Sequence, residues 1–493
     1  MGIVKRQAIK SSIASYIGVG IAYITLLVLY PKYLEEEEIG LIRVLVDAGV
    51  FFAALASFAF PSILNRYFPI FRQRGQFGLV KGLTITWPVF GFLAFLAVFL
   101  TFKDSILSIF EERSPQVLRY YDVGLAIGFF LVIFNAFSAL ARIYRRIVIP
   151  NFLREVGLRL GTLTLLTLLI EGTIAFDDFL NLTPWLYAIA AIITIIYSLL
   201  LSKKDPTSFS FSKMDGSFWR DLFTYTGTMA LLSMSARLLG TIDSFMISSM
   251  LGLGKAGIYG IAFYIGMIIE LPKRSVSQIS GPYISDAWAM NDVDTLRNIY
   301  KETALNQFVI GGLIFTCVWA NIDSLFELVP NGEIYAQGKY VVLFIGLAKL
   351  FDMSMGVNFE IITNSRYYRF NVYSIIVLIF FLIFLNYAFI PRLGITGAAL
   401  ASLLSLIIFN GLAIGFLSRR IHGLPFSKPW FIHLLIVIFL STVLYFLNLD
   451  LPPILSILIK SFSVGLIYLI SIRYLGISPS LNEVLGKLIS RFH

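Results

Sequence analysis

The feature that most limits this chain is an alternation. Long apolar stretches are separated by short gaps, and Lys and Arg collect in every second gap. A bilayer core is about 30 Å thick, so a crossing helix needs about 20 mostly apolar residues. About fourteen stretches approach that length, near residues 11–30, 39–60, 81–102, 118–140, 152–170, 184–201, 223–250, 257–280, 303–322, 339–360, 372–390, 395–417, 431–448 and 453–475. They are too long and too continuously apolar for barrel strands, which alternate over about 10 residues. Helices satisfy their own backbone hydrogen bonds in lipid. The pattern predicts an all-α integral membrane protein and leaves little chain for a soluble catalytic domain. Charged residues make up 14% of the chain, against about 25% in soluble domains.

Basic residues in short loops stay on the cytoplasmic side during insertion. Lys5, Arg6 and Lys10 precede the first span; Arg66, Arg72 and Arg74 follow the second; Arg142, Arg145, Arg146 and Arg154 follow the fourth. The series continues with Lys203, Lys204, Lys213 and Arg220, then Lys273, Arg274, Arg297 and Lys301, then Arg366 and Arg369, then Arg419, Arg420 and Lys428, and ends on Lys487 and Arg491. The other gaps are acidic or nearly neutral, Glu35 to Glu38 being the clearest. Both termini are therefore expected on the cytoplasmic side. The net charge of +10 is mostly this topology signal, and no nucleic-acid partner is expected. Cys317 is the single cysteine, and His422, His433 and His493 are scattered, so neither a disulfide nor a metal site is expected. The first stretch lacks a clear cleavage site and reads as a retained helix.

Two stretches of sequence overlay. Leu34 lies six residues before Gly40 at the start of the second span, and Leu251 lies six before Gly257 at the start of the eighth. Each span leads to a Tyr (Tyr67, Tyr283) and a basic amphipathic segment (71–81, 291–301). The shared sidedness indicates a parallel repeat about an axis along the membrane normal. The expected organisation is an N-terminal lobe over 1–201, a cytoplasmic linker over 202–222, a C-terminal lobe over 223–417, and a final helix pair with a cytoplasmic tail over 418–493.

Pro31-Lys-Tyr-Leu-Glu-Glu-Glu-Glu-Ile-Gly40-Leu, the segment Asp292 to Lys301, and Pro391-Arg-Leu-Gly-Ile-Thr-Gly397-Ala-Ala-Leu-Ala401 together resemble one family. It is the polysaccharide transporter branch, which includes O-antigen flippases, of the superfamily that also holds multidrug extruders and the lipid II flippase. The resemblance covers nearly the whole chain. It implies two pseudo-symmetric six-helix lobes in a V shape plus two C-terminal helices, in the bacterial cytoplasmic membrane. It also implies alternating-access translocation of undecaprenyl-pyrophosphate-linked sugar units, such as the O-antigen repeat of lipopolysaccharide, beside polysaccharide polymerase machinery.

A charge in mid-span costs about 2.5–3.5 kcal/mol on the insertion scale, so embedded charges face cavities or pair. Arg suits phosphate best. The cations expected to meet a diphosphate are Arg43, Arg237, Arg159 and Lys349. Asp47, Asp243, Glu270 and Asp352 are the carboxylates expected to couple transport to a proton or sodium ion. The competing reading makes Arg43–Asp47 and Lys349–Asp352 structural ion pairs. Lys460 reads as a snorkelling or pairing residue. Pro61, Pro88, Pro272 and Pro282 mark kinks or span boundaries. No catalytic residue is expected. Two other functions fit less well: a drug or cation antiporter of the same superfamily, and a membrane glycosyltransferase or polymerase using Glu35 to Glu38. The second would need a longer outer loop than this chain offers.

Overall fold

A computed structural model of the chain describes residues 2–73, 75–203, 207, 216–447, 449–475, 478 and 482. Arg74, most of the expected linker (204–206 and 208–215, with Lys204 and Lys213) and the expected tail over 483–493, with Lys487 and Arg491, lie outside the described residues. Every regular element among the described residues is a helix, and twelve helices there are long and apolar enough to cross a membrane. The fifth and seventh expected spans are helical but fall outside that twelve. Arg154, Glu155 and Arg159 crowd the fifth. The seventh is rich in Thr and Ser, including Thr224, Thr226, Thr228, Ser233, Thr241, Ser244 and Ser248. Both compositions suit helices that present polar groups to a protein interior.

The chain divides into two compact units, Met1–Gly257 and Ile258–His493. The first holds α1 (Gly2–Ile24), α2 (Glu36–Ala56), α3 (Phe60–Gln73), α4 (Phe77–Leu107), α5 (Gln116–Ile143), α6 (Leu158–Ile170), α7 (Phe176–Leu201), α8 (Gly216–Leu251) and the first turn of α9 (Leu253–Met267). The second holds the rest of α9, then α10 (Leu271–Ala289), α11 (Val293–Ala320), α12 (Lys339–Ser354), α13 (Asn358–Thr363), α14 (Arg369–Leu393), α15 (Ile395–Ile421), α16 (Lys428–Phe446) and α17 (Pro453–Leu475). The boundary differs from the one expected at the linker. Helix α8, the seventh span, packs along α2, and Arg43 Nε on α2 donates to Ser244 Oγ on α8 at 2.7 Å.

Helix ends follow their local chemistry. The four-Glu run opens α2: the Glu35 amide donates to the Glu38 carboxylate at 2.9 Å, and negative charge in a first turn complements the helix dipole. Pro61 and Pro272 sit in the first turns of α3 and α10, where a missing N–H costs nothing. Pro88 and Pro282 lie inside α4 and α10. The second span stops at Ala56 and restarts at Phe60. Between them Phe58 and Ala59 both take positive φ, 43° and 54°, a strained conformation for residues with a Cβ. The Trp87 indole pins this break by donating to the Ser57 carbonyl at 3.1 Å. In the second unit, Lys460 on α17 donates to the Ala320 carbonyl at 3.0 Å, a cation on the C-terminus of α11.

Small residues let helices approach closely where lipid gives no hydrophobic drive. Within the first unit, α2 crosses the first turn of α9 at Gly40 and Gly257. A Cβ on Gly40 would lie 2.0 Å from the Leu253 carbonyl oxygen, and one on Gly257 would lie 2.0 Å from the Glu36 carbonyl oxygen. Each glycine rests on the carbonyl four residues before the other. The overlaid residues Gly40 and Gly257 therefore meet in a locally symmetric crossing.

Candidate functional site

A cavity of about 400 Å³ opens in the first unit, among α2, α3, α5, the α6 approach, α7 and α8. Arg142, Arg154 and Arg237 line it, with Asn135, Ser57, Ser62, Ser138, Ser233 and Tyr187, and no Asp or Glu is among its lining residues. The strained break at Ser57–Ala59 forms part of its wall.

Local structure aims each arginine. Arg237 rides mid-way along the polar helix α8. Arg142 closes the last turn of α5. Arg154 lies in a π-helical turn, Leu153–Gly157, leading into α6; such turns shift the side-chain phase and recur at functional sites. The turn sends Arg154 into the cavity and Arg159 away from it. Arg154 donates to Asn135 Oδ1 on α5, and its guanidinium lies 5.1 Å from the centre of the Phe134 ring. The like charges of Arg237 and Arg142 and the opposite charge of Glu155, which itself pairs with Arg159, all act on Arg154. Mutual repulsion among like charges falls when an anion joins them. The buried Ser138 hydroxyl in the same wall has no hydrogen-bond partner in the structure, leaving a donor for a bound group.

The residues expected from sequence divide differently. Of the four candidate cations, only Arg237 lines the cavity. Arg43 is buried, bonded to Ser244 and 3.6 Å from Asp47, the contact that their i, i+4 spacing allows. Arg159 pairs with Glu155 at 3.2 Å and packs on α1, where a Cβ on Gly18 would lie 2.6 Å from Arg159 Nη1. Lys349 does not pair with Asp352: it binds Glu270 at 2.6 Å, and Asp352 is held by Lys273. One turn of separation on α12 allows a contact but does not require it, and Glu270, just before α10, and Lys273, on α10, are the closer partners. Asp243 is buried on α8 beside Ser244. Among the described residues there is no cluster of three metal-ligating side chains.

Sequence reasoning missed Arg142, Arg154 and Asn135 as site residues. The two arginines counted as inner-loop charges, although Arg154 falls inside the fifth span as read. An arginine within a span was the signal. Its π-helical phase, which separates it from Arg159, leaves no mark on composition.

Residues 4–288 match the model of a family described as polysaccharide biosynthesis protein. Two uncharacterized membrane proteins of Methanocaldococcus jannaschii are similar in sequence. One is 21% identical over 99% of each chain; the other is 28% identical over 42% of this chain and 48% of its own length. The fold is similar to that of lipid II flippase MurJ in an inward closed conformation, with a TM-score of 0.72 and 13% identity over 94% of this chain and 99% of that one. It is also similar to an inward-facing multidrug resistance MATE family transporter of the MOP superfamily, with a TM-score of 0.63 and 13% identity over 83% and 94% of the two chains.

Proposed function

Because the chain belongs to the polysaccharide biosynthesis protein family, we propose that it is a flippase for a lipid-linked oligosaccharide carried on a polyprenyl diphosphate such as undecaprenyl pyrophosphate. The cargo is an O-antigen-like or other surface-polysaccharide repeat unit. It moves from the cytoplasmic to the outer leaflet of the cytoplasmic membrane by alternating access, with both termini of the protein on the cytoplasmic side. The observation that carries this reading is the cavity with three arginines and no lining carboxylate.

A diphosphate carries several charges on oxygens that accept forked N–H pairs, and guanidinium groups supply such pairs. Asn135 holds Arg154 in one orientation, which lowers the entropy lost when the headgroup binds. The sugar requires no bond making or breaking, so the protein acts as a carrier rather than an enzyme. The neighbouring MATE fold also suits an antiporter for cationic drugs. Three guanidinium groups without a lining carboxylate repel a cation, and this favours the anionic lipid. The test is to delete the gene and ask which leaflet holds the lipid-linked sugar. Accumulation in the cytoplasmic leaflet, reversed by the wild-type gene and not by Arg154→Ala, supports the proposal. Normal outward display without the protein refutes it.

A further inference from the structure

Each unit seats arginine side chains on tyrosine rings, and only the seat in the first unit contains an anion. There the Arg66 guanidinium of α3 lies 4.2 Å from the centre of the Tyr225 ring on α8 and 5.6 Å from that of Tyr67. Tyr67 donates its hydroxyl proton to Asp221 of α8 at 2.7 Å, and Arg66 lies 3.6 Å from the same carboxylate oxygen. Guanidinium and phenol thus converge on one carboxylate.

In the second unit, Tyr367 stands in the turn between α13 and α14. The Arg420 guanidinium, from the last turn of α15, lies 4.5 Å from the centre of its ring. The Arg366 guanidinium lies 4.9 Å from the same centre and donates to the Tyr367 hydroxyl oxygen at 2.6 Å. Phe416 meets the ring edge-on at 5.6 Å and is itself stacked on Phe370 at 4.1 Å, so the seat is fixed from behind. Among the described residues no carboxylate forms a salt bridge with Arg366 or Arg420, and the Tyr367 hydroxyl accepts a hydrogen bond without donating one. A cation near the C-terminus of α15 suits the helix dipole, and arginines in an inner gap suit insertion. Neither reason requires two like charges to share one ring, where they repel.

The neighbouring surface selects the anion. Tyr373, Ile376, Phe380 and Phe384 of α14 are exposed and recur at helical spacing. The stripe begins one turn into α14. At 1.5 Å per residue it is about 16 Å long, close to half of the roughly 30 Å hydrocarbon core. An anion held at the ring therefore lies beside acyl chains. We propose that Tyr367, Arg366 and Arg420 bind the phosphate of an anionic membrane phospholipid, whose chains run along the exposed stripe of α14. The phosphate takes the part that Asp221 plays in the first unit. Two guanidinium groups offer forked N–H pairs, and the phenol adds a third donor. The bound phosphate relieves the repulsion between the two arginines.

The test needs no cargo, so its outcome is separate from the assignment of transport. The full chain in detergent is titrated with phosphatidylglycerol, with phosphatidylcholine as the zwitterionic control, and the unfolding temperature is followed. Phosphatidylglycerol is expected to raise it and phosphatidylcholine to leave it unchanged. Arg366→Gln and Arg420→Gln are each expected to weaken the apparent affinity for phosphatidylglycerol by about 10-fold, the value of one hydrogen bond to a charged group. Tyr367→Phe keeps the ring, loses the donor and should weaken it by about 5-fold. Arg419→Gln removes the same charge from an exposed neighbour and should weaken it far less than Arg420→Gln. Arg420→Lys keeps the charge without the stacked fork and serves, with a loss expected in the same direction, if the glutamine variant does not fold. Equal losses at Arg419 and Arg420 would reduce the effect to diffuse attraction and overturn the site, as would a wild type that phosphatidylglycerol does not stabilise. Stabilisation of the same size by inorganic phosphate at equal concentration would overturn the lipid as the source of the anion, and so would displacement of phosphatidylglycerol by an equal concentration of a polyprenyl diphosphate.

Discussion

Gly40→Ala offers the sharpest test of how the first unit is packed. The added methyl carbon would sit 2.0 Å from the Leu253 carbonyl oxygen. A close carbon–oxygen contact needs about 3.3 Å, so the two helix backbones must part by roughly 1.3 Å. A gap of about 1 Å forfeits a quarter to a half of the dispersion energy at each contact it opens, and overpacking of this kind costs about 1–3 kcal/mol. Gly257→Ala should cost a similar amount, because its methyl meets the Glu36 carbonyl at the same 2.0 Å. Once one methyl has parted the helices, the second enters an opened contact. The double variant should therefore cost clearly less than the sum of the two single variants. Gly20 and Gly411 are controls: nothing lies within 4 Å of a Cβ at either, and alanine in a helix gains about 0.5–1 kcal/mol over glycine. The assay is thermal unfolding of purified protein in detergent. Gly40→Ala as stable as Gly411→Ala, or strictly additive losses at Gly40 and Gly257, would refute the symmetric crossing.

Other expected outcomes follow from single contacts. Asn135→Leu frees Arg154 without removing its charge and should slow translocation by about 10-fold, the value of one hydrogen bond to a charged group; a vesicle flipping assay at matched protein levels reads this directly. Removing Arg159 alone takes away the ion-pair partner of Glu155 and should cost about 1–3 kcal/mol, whereas Arg159→Met with Glu155→Gln should restore both stability and transport. Loss of transport in that folded double variant would return Arg159 to the substrate path. Asp292 caps α11 outside the membrane, and hydrogen bonds from the Thr295 hydroxyl and then its amide hold the carboxyl below the usual range. Its folded value is depressed, so its contribution is present above about pH 4 and fades as pH falls through that lower value. Asp292→Ala should lower the unfolding temperature at neutral pH and narrow the gap to wild type in acid.

Much of the fold was legible because bilayer crossing forces a length and a polarity on each helix. The helices fall close to the stretches read from hydropathy, and the Leu34–Gly40 and Leu251–Gly257 overlay marked residues that meet in space. The pairing of buried charges was less legible. Arg43–Asp47 could be read, since both lie on one helix face. Lys349–Glu270 and Lys273–Asp352 join different helices, and spacing within α12 pointed instead to a Lys349–Asp352 pair. Arg154 was hidden by its position: near a span end, an arginine that lines a cavity and one that marks topology look alike. The π-helical turn that decides between them depends on tertiary packing.

The most direct measurement of the central claim is translocation of a polyprenyl diphosphate sugar into the outer leaflet of proteoliposomes by wild-type protein and by variants at Arg142, Arg154 and Arg237. Each charge-assisted contact to phosphate is worth about 1.5–3 kcal/mol, or roughly 10–100-fold. Single glutamine variants should fall by that factor, the triple variant should reach the protein-free rate, and raised ionic strength should weaken headgroup binding to the wild type. A folded triple variant that still flips the diphosphate lipid at the wild-type rate would contradict the account.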